Sequence, residues 1–147
     1  MEFASLEREV FVAASPEIVF EVVSRPEHIK EWWPDDASYD VRGGAAGEIR
    51  FGDPADGGKV EALTVVDVRP PESFTFRWTD HDLLVSFTLT PSGEGTLLKL
   101  TETGFREAGW GQAVLEETYR DHERGWDFFL PRLAPYVAGL AAQEVRS

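Results

Sequence analysis

The chain has 147 residues and no cysteine, so it is long enough to bury a core without disulfides, and thiolate metal sites are excluded. Its formal net charge is −13, from 14 basic and 27 acidic residues. A surface of this sign repels phosphate backbones and anionic lipid headgroups, which argues against a nucleic-acid-binding or membrane-binding protein.

The first elements are predicted to be one strand and two helices. Leu6 to Val12 alternates in the way that a half-buried strand does. Ser15 is a helix-capping residue and Pro16 suits the first helical position, so a helix is expected to begin there and to end at Arg25. A second, shorter helix is predicted from Pro26 to Trp32.

From residue 38 onwards the apolar residues recur with a period of two. This pattern predicts strands over Tyr39 to Arg42, Glu48 to Phe51, Lys59 to Val68, Ser73 to Thr79, Leu83 to Leu89 and Thr96 to Thr103. Turn-forming Gly, Pro and Asp residues separate these segments, which indicates consecutive hairpins and therefore an antiparallel sheet.

The last third of the chain predicts one long amphipathic helix. Its large side chains recur at steps of three and four, at Leu115, Tyr119, His122, Trp126, Phe129, Leu133 and Val137. Pro131 and Pro135 predict a kink near residues 127–131 or a break into two helices, because proline removes a backbone donor. The fold class is therefore α+β, with a curved antiparallel sheet of about six or seven strands wrapped around the C-terminal helix. One domain is expected over residues 1–147, with its core at about 6–140.

Three segments join this order of elements in resembling a known superfamily: Val12-Ala13-Ala14-Ser15-Pro16-Glu17, Trp32-Trp33-Pro34 and Thr101-Glu102-Thr103-Gly104-Phe105. The chain resembles the START-like (SRPBCC) helix-grip superfamily. Within it, the tail His122-Glu123-Arg124-Gly125-Trp126, followed by Phe129-Leu130 and Arg132-Leu133, is similar to single-domain bacterial proteins related to the C-terminal domain of the heat-shock chaperone ATPase activator. The resemblance implies the helix-grip fold and a hydrophobic cavity that takes a small molecule.

A ligand cavity is therefore expected between the C-terminal helix and the sheet. The candidate ligand-binding residues are Trp33, Phe51, Phe76, Trp78, Phe87, Glu102, Tyr119, His122, Trp126 and Phe129. Trp32 and Trp33 are expected at a rim or lid. Trp126 and Phe129 are interpreted first as core residues, which can also line the wall of a cavity. Gly125, inside the predicted helix, is interpreted as a site of close packing against a neighbouring element.

Glu102 is the candidate polar group of this cavity. It shares one face of the last strand with Leu98 and Leu100, so an inward-facing strand would bury its carboxylate. One hypothesis is a ligand anchor partnered by Tyr119 or His122. The alternative, which we favour from the sequence, is that Glu102 lies at the strand end and reaches water.

The function predicted from the sequence is binding of a hydrophobic or amphipathic small molecule. One alternative is a protein-binding regulator of a chaperone ATPase, and another is a cyclase-like or hydrolase-like enzyme that uses Glu102 and His122. No catalytic residue is assigned, and binding is favoured over catalysis. No metal or cofactor is expected, because no histidines have metal-ligand spacing. An exposed edge strand could pair into a homodimer. The N-terminal residues lack the basic start and apolar run of a secretion signal, so we expect a cytoplasmic protein.

Overall fold

The structure, a computed structural model, describes residues 3–79 and 81–146. Its strands are β1 (Ser5–Val12), β2 (Asp36–Ser38), β3 (Ala46–Phe51), β4 (Lys59–Arg69), β5 (Ser73–Trp78), β6 (Leu83–Ser92) and β7 (Gly95–Thr103). Its helices are α1 (Pro16–Ser24), α2 (Pro26–Ile29), α3 (Gln112–Phe129) and α4 (Leu133–Arg146), with 3-10 turns over Pro54–Asp56 and Leu130–Arg132.

All strand pairs are antiparallel, in the order β1-β7-β6-β5-β4-β3-β2. With two short helices after β1 and a long helical segment after β7, this confirms the predicted helix-grip α+β fold. Residues 1, 2, 80 and 147 of the predicted domain lie outside the described residues.

The first helices begin as the sequence predicts. The side chain of Ser15 accepts a hydrogen bond from the backbone N–H of Ile18 at 3.4 Å, and Pro16 opens α1. Helix α2 is shorter than predicted, since it ends at Ile29 and turns follow as far as Trp32. These turns bring the next aromatic residue of the chain, Trp33, towards the inner face of the sheet.

The strand before β3 lies earlier in the chain than the alternation suggested. The prediction of a strand over residues 39–42 is wrong, because the partner of β3 is β2, three residues upstream. Tyr39 instead buries its ring and donates its hydroxyl to the carbonyl of Ser24 at 2.7 Å. This hydrogen bond fixes the chain against the end of α1, so residues 39–42 form a connection.

The inner face of the sheet is mainly apolar. The buried side chains on it include Leu63, Val65, Phe74, Phe76, Val85, Phe87, Leu98 and Leu100. Burial of this surface stabilises the fold by about 25 cal/mol for each square ångström removed from water. Two polar side chains of β7 are fully buried on the same face: Thr96, which donates its hydroxyl to the carbonyl of Ala14 at 2.7 Å, and the charged Glu102, which follows Leu98 and Leu100.

The C-terminal helical segment is interrupted near the position that its prolines predict. Helix α3 ends at Phe129, a 3-10 turn covers Leu130–Arg132, and α4 begins at Leu133. Pro131 lies in this turn, where its missing N–H no longer has to join an α-helical ladder. Leu130 and Leu133 are both buried, so the interruption lies against the core.

An ion-pair cluster joins α3 to the edge strand β1. Arg8 donates one hydrogen bond to Asp127 at 2.7 Å and another to Glu123 at 2.8 Å. These hydrogen bonds raise the pKa of Arg8, and the bond from Arg8 lowers the pKa of Glu123. The cluster holds the solvent side of α3 and leaves its opposite side to face the sheet.

Candidate ligand site

A small cavity, which we call the aromatic cavity, lies between α3 and one end of the sheet. It has a volume of about 120 Å³ and is lined by Trp33, Phe51, Trp78, Asp121, His122, Gly125, Trp126 and Phe129. An engineered apolar cavity of about 150 Å³ binds benzene, whereas drug-sized ligands occupy about 300–1,000 Å³. The space therefore fits one aromatic ring, or one ring of a larger molecule.

Helix α3 supplies one wall of the cavity through its periodicity. His122, Trp126 and Phe129 are four and three residues apart, so they lie on one face of the helix. Asp121 and Gly125 come one residue before His122 and Trp126 and form the adjacent row. The helix therefore presents two neighbouring rows of side chains to the cavity.

The opposite wall comes from three separate parts of the chain. Trp33 follows α2, Phe51 ends β3 and Trp78 ends β5. The ring centroid of Trp33 lies 5.1 Å from that of Trp78 and 4.8 Å from that of Trp126. Phe51 and Phe129 approach to 6.2 Å between centroids on the side of the 3-10 turn. Such tilted and edge-to-face contacts hold the rings in fixed positions.

A buried carboxylate lies behind the aromatic walls. Oε2 of Glu102 accepts a hydrogen bond from the indole Nε1 of Trp78 at 2.7 Å. Oε1 accepts one from the indole Nε1 of Trp126 at 2.9 Å and is also 2.9 Å from Nδ1 of His122. The side chains of Glu102 and its three partners therefore form one network, which we call the Glu102 network.

The Glu102 network explains how a carboxylate can be buried there. Glu102 has no exposed side-chain surface, so its desolvation must be offset by hydrogen bonds. Both of its oxygens are bonded, and no buried side-chain nitrogen or oxygen lacks a partner in the described part of the chain. The interpretation that Glu102 reaches water is wrong, because the large indoles of Trp78 and Trp126 cover the strand end and donate to it.

His122 is held firmly between the network and the cavity. Its ring lies 5.3 Å from that of Trp78 and 5.5 Å from that of Phe105, measured between centroids. Its side chain is 17% exposed, whereas that of Glu102 is fully enclosed. A carboxylate that fixes one nitrogen of an imidazole leaves the other available for hydrogen bonding or proton transfer.

The structure brings most of the predicted site residues together. Six line the aromatic cavity: Trp33, Phe51, Trp78, His122, Trp126 and Phe129. Glu102 lies behind the wall. Phe76 and Phe87 are fully buried core residues that support Trp33 and Trp126, with centroid distances of 5.7 and 6.2 Å. Whether these residues bind a ligand stays a prediction.

Tyr119 and Trp32 lie elsewhere than predicted. Tyr119 shares the helix face of His122, but one turn away from the cavity, where its hydroxyl donates to the carbonyl of Ser5 at 3.1 Å. It therefore does not partner Glu102. Trp32 is fully buried and donates to the carbonyl of Val22 at 3.1 Å, so it is not at a rim.

Two further cavity residues were not predicted. Asp121 lies on the wall and pairs with Arg124. The close-packing interpretation of Gly125 is wrong, because a Cβ added there meets nothing within 4 Å. A glycine inside a helix costs about 1 kcal/mol relative to alanine, and here it leaves part of the cavity wall open. The sequence signal was present, but it does not distinguish close packing from open space.

The described residues hold no group of three or more His, Asp or Glu side chains that could bind a metal ion. None of the helices in residues 3–79 and 81–146 has both the length and the apolar character that crossing a membrane requires.

The chain is similar to one sequence family. The family model described as "Activator of Hsp90 ATPase homolog 1-like protein" matches residues 13–138. No curated protein matches the chain in sequence.

Several solved structures share the fold. Protein NE0264 from Nitrosomonas europaea is 18% identical with a TM-score of 0.78, and the match covers 97% of this chain and 99% of that one. The Aha1 protein of Colwellia psychrerythraea, solved as a dimer, is 18% identical with a TM-score of 0.68, covering 90% and 95%. DynU16, a protein of the dynemicin biosynthetic locus, is 26% identical with a TM-score of 0.74; the match covers 92% of this chain and 47% of that one.

Proposed function

Because the chain belongs to the family of activator of Hsp90 ATPase homolog 1-like proteins, whose fold commonly binds hydrophobic ligands, we propose that it binds a small aromatic molecule in the aromatic cavity. The observation that carries this proposal is a cavity of about 120 Å³ whose walls are mainly aromatic rings. Ligand sites are typically concave and apolar, with a few polar groups that set orientation.

The openness of the wall at Gly125 supports the same proposal. In a helix made only for stability, alanine would be favoured at this position by about 1 kcal/mol. The space beside Gly125 is unfilled by any neighbouring atom within 4 Å of an added Cβ. A bound ring would fill that space and recover the dispersion contacts that the walls lack without it.

Toluene tests the proposal, because it is a single aromatic ring without a polar group. We expect toluene to raise the melting temperature of the wild-type protein in a thermal-shift assay, with a Kd measurable by calorimetry. At about ten times its Kd, a ligand adds about 1.4 kcal/mol to the free energy of unfolding.

A matched pair of variants distinguishes binding of toluene in the cavity from stabilisation by toluene elsewhere on the protein. Gly125→Leu places an isobutyl group in the cavity, whereas Gly139→Leu makes the same substitution in α4, where an added Cβ also meets nothing within 4 Å. Toluene should stabilise Gly139→Leu like the wild type and should leave Gly125→Leu unchanged. Equal stabilisation of both variants, or no response of the wild type, would contradict the proposal.

The Glu102–His122 pair supports a second candidate, a cyclase-like or hydrolase-like enzyme. An imidazole whose Nδ1 lies 2.9 Å from a carboxylate is arranged as a general base would be. Turnover of a polyketide-like substrate that is lost in His122→Phe would favour this candidate over simple binding.

The family name supports the alternative that the protein regulates a chaperone ATPase. Stimulation of a chaperone ATPase by the purified protein, together with no binding of aromatic probes, would favour the regulator over the ligand binder.

A homodimer is also a prediction, and the dimeric Colwellia relative supports it. Analytical ultracentrifugation of the wild-type chain tests it directly.

A further inference from the structure

We propose that the ligand of the aromatic cavity is a neutral hydroxylated aromatic ring, whose O–H group donates a hydrogen bond to Nε2 of His122. This inference rests on the ligand-binding function proposed above and specifies its ligand class. In it, His122 is the residue that contacts the ligand, and Glu102 is a positioning residue that acts through His122.

The Glu102 carboxylate decides which ring nitrogen of His122 carries the hydrogen. Its Nδ1 lies 2.9 Å from Oε1 of Glu102, and a carboxylate accepts hydrogen bonds. The two indoles that also contact this carboxylate are donors only, so all three partners supply hydrogens to the same acceptor. His122 therefore carries its hydrogen on Nδ1, and in the neutral ring Nε2 is the acceptor.

The other ring nitrogen of His122, Nε2, is left for a ligand. The described residues give it no hydrogen-bond partner, and no buried side-chain nitrogen or oxygen among them lacks one. The side chain of His122 is 17% exposed and forms part of the cavity wall, so a ligand in the cavity can approach this nitrogen.

Nε2 of His122 is held in place before a ligand arrives. The imidazole packs between Trp78 and Phe105, and Glu102, which fixes its Nδ1, is itself held by the indoles of Trp78 and Trp126. A preorganised acceptor loses little conformational entropy on binding, so its hydrogen bond contributes to affinity and orientation.

The cavity favours a neutral ligand over an anionic one. Its lining contains no lysine or arginine, the Glu102 carboxylate lies behind the wall, and the whole chain carries a net charge of −13. An anionic ring such as benzoate would lose hydration in this aromatic cavity without gaining a cationic partner from the lining. A phenol is neutral near pH 7 and carries the single donor that Nε2 requires.

Three probes of similar size test the inference by calorimetry: phenol, anisole and toluene. Anisole keeps the oxygen of phenol but has no O–H, and toluene lacks the oxygen. We compare wild type with His122→Phe, which keeps an aromatic ring in the wall. Relative to the other two probes, phenol should lose about fivefold in affinity in His122→Phe, since one neutral hydrogen bond contributes about 1 kcal/mol.

The outcomes distinguish this inference from the proposed function. If all three probes bind the wild type and change by the same factor in His122→Phe, the hydroxyl inference is overturned and the binding function stands. If anisole loses as much affinity as phenol while toluene does not, Nε2 is a donor and the inference is also overturned. If no probe binds the wild type, the proposed function itself fails.

A measurement on the wild-type protein keeps the test independent of the variant's folding. In a ¹⁵N-labelled sample, phenol should shift the Nε2 resonance of His122, whereas anisole should leave it in place. The chain has three histidines, so the resonance can be assigned among few candidates. An Nε2 resonance that does not respond to saturating phenol would overturn the inference.

Discussion

Trp78, at the end of β5, and Trp126, in the last turn of α3, donate hydrogen bonds to the two different oxygens of one buried carboxylate. The sheet and the helix are thereby joined by a polar bridge inside an apolar core. Since both indoles also line the aromatic cavity, the bridge fixes the distance between the two walls. The Glu102 network therefore links the sheet to α3 and also fixes the positions of residues that line the candidate site.

Glu102→Gln is expected to lower the free energy of unfolding by about 1–3 kcal/mol, as measured by urea denaturation. The amide offers one acceptor oxygen where the carboxylate offers two, so at least one indole N–H faces another donor. The matched control is Glu94→Gln on the exposed β6–β7 hairpin, which should change stability by less than about 0.5 kcal/mol. A Glu102→Gln protein as stable as the control would show that the carboxylate is not required.

Gly125→Ala is expected to raise the free energy of unfolding by about 1 kcal/mol and to weaken toluene binding. Alanine favours the helix, and its methyl group enters the open space of the cavity wall. Gly139→Ala should give a similar gain in stability and leave toluene affinity unchanged. Thermal denaturation and calorimetry on both variants check this pair of effects. A loss of stability in Gly125→Ala alone would instead indicate close packing.

Glu123→Gln should destabilise the protein by about 1 kcal/mol or less near pH 7, and by progressively less in acid. The hydrogen bond from Arg8 lowers the pKa of Glu123 in the folded state, below the ordinary value of about 4.3. The contribution is therefore present above the unfolded pKa and is lost as the pH falls through the folded pKa. Urea titrations of both proteins at pH 7 and pH 3 measure it. A difference that persists unchanged at pH 3 would rule out the ion pair as its cause.

Tyr39→Phe probes stability at high pH. Burial raises the pKa of Tyr39, so the folded protein keeps the neutral phenol while the unfolded chain ionises near pH 10. The wild type should therefore lose stability as the pH rises above about 10, and Tyr39→Phe should lose less. At pH 7 the variant is expected to be about 1 kcal/mol less stable, because the hydrogen bond to Ser24 is missing. Parallel pH profiles for the two proteins would contradict this assignment.

The periodicity of the sequence predicted well which face of a strand or helix a side chain lies on. Local sequence signals predicted less well how deeply that side chain is buried and where along the element it lies. The alternation of β7 put Glu102 on one face with Leu98 and Leu100, and the helical period put His122 and Trp126 on the apolar face of the helix, as the structure has them. The alternation did not predict that the carboxylate of Glu102 is buried, and the interpretation favoured from the sequence, that it reaches water, is wrong. The same period gave no position along the helix axis, so Tyr119 was assigned to a cavity that it does not reach. The partnership of Trp78 with Glu102 joins distant segments, and no single-sequence pattern encodes such a contact.

The error at residues 39–42 has a different origin. Residues 39–42 alternate between apolar and polar side chains, whereas β2 is a three-residue strand whose sequence, Asp-Ala-Ser, carries little apolar signal. The hydrogen bond from Tyr39 to Ser24 decides between them, because it requires the ring to turn towards α1. That requirement is tertiary, so it becomes visible only once α1 is in place.

The residues of α3 that line the cavity differ in the substitutions that they tolerate. His122 and Trp126 are hydrogen-bonded to Glu102, whereas Asp121, Gly125 and Phe129 have no hydrogen bond to that carboxylate. Mutational libraries confined to positions 121, 125 and 129 should therefore retune ligand size and polarity while the scaffold keeps its shape. Sequence divergence at these three positions is a simple route by which proteins of one fold come to bind different ligands.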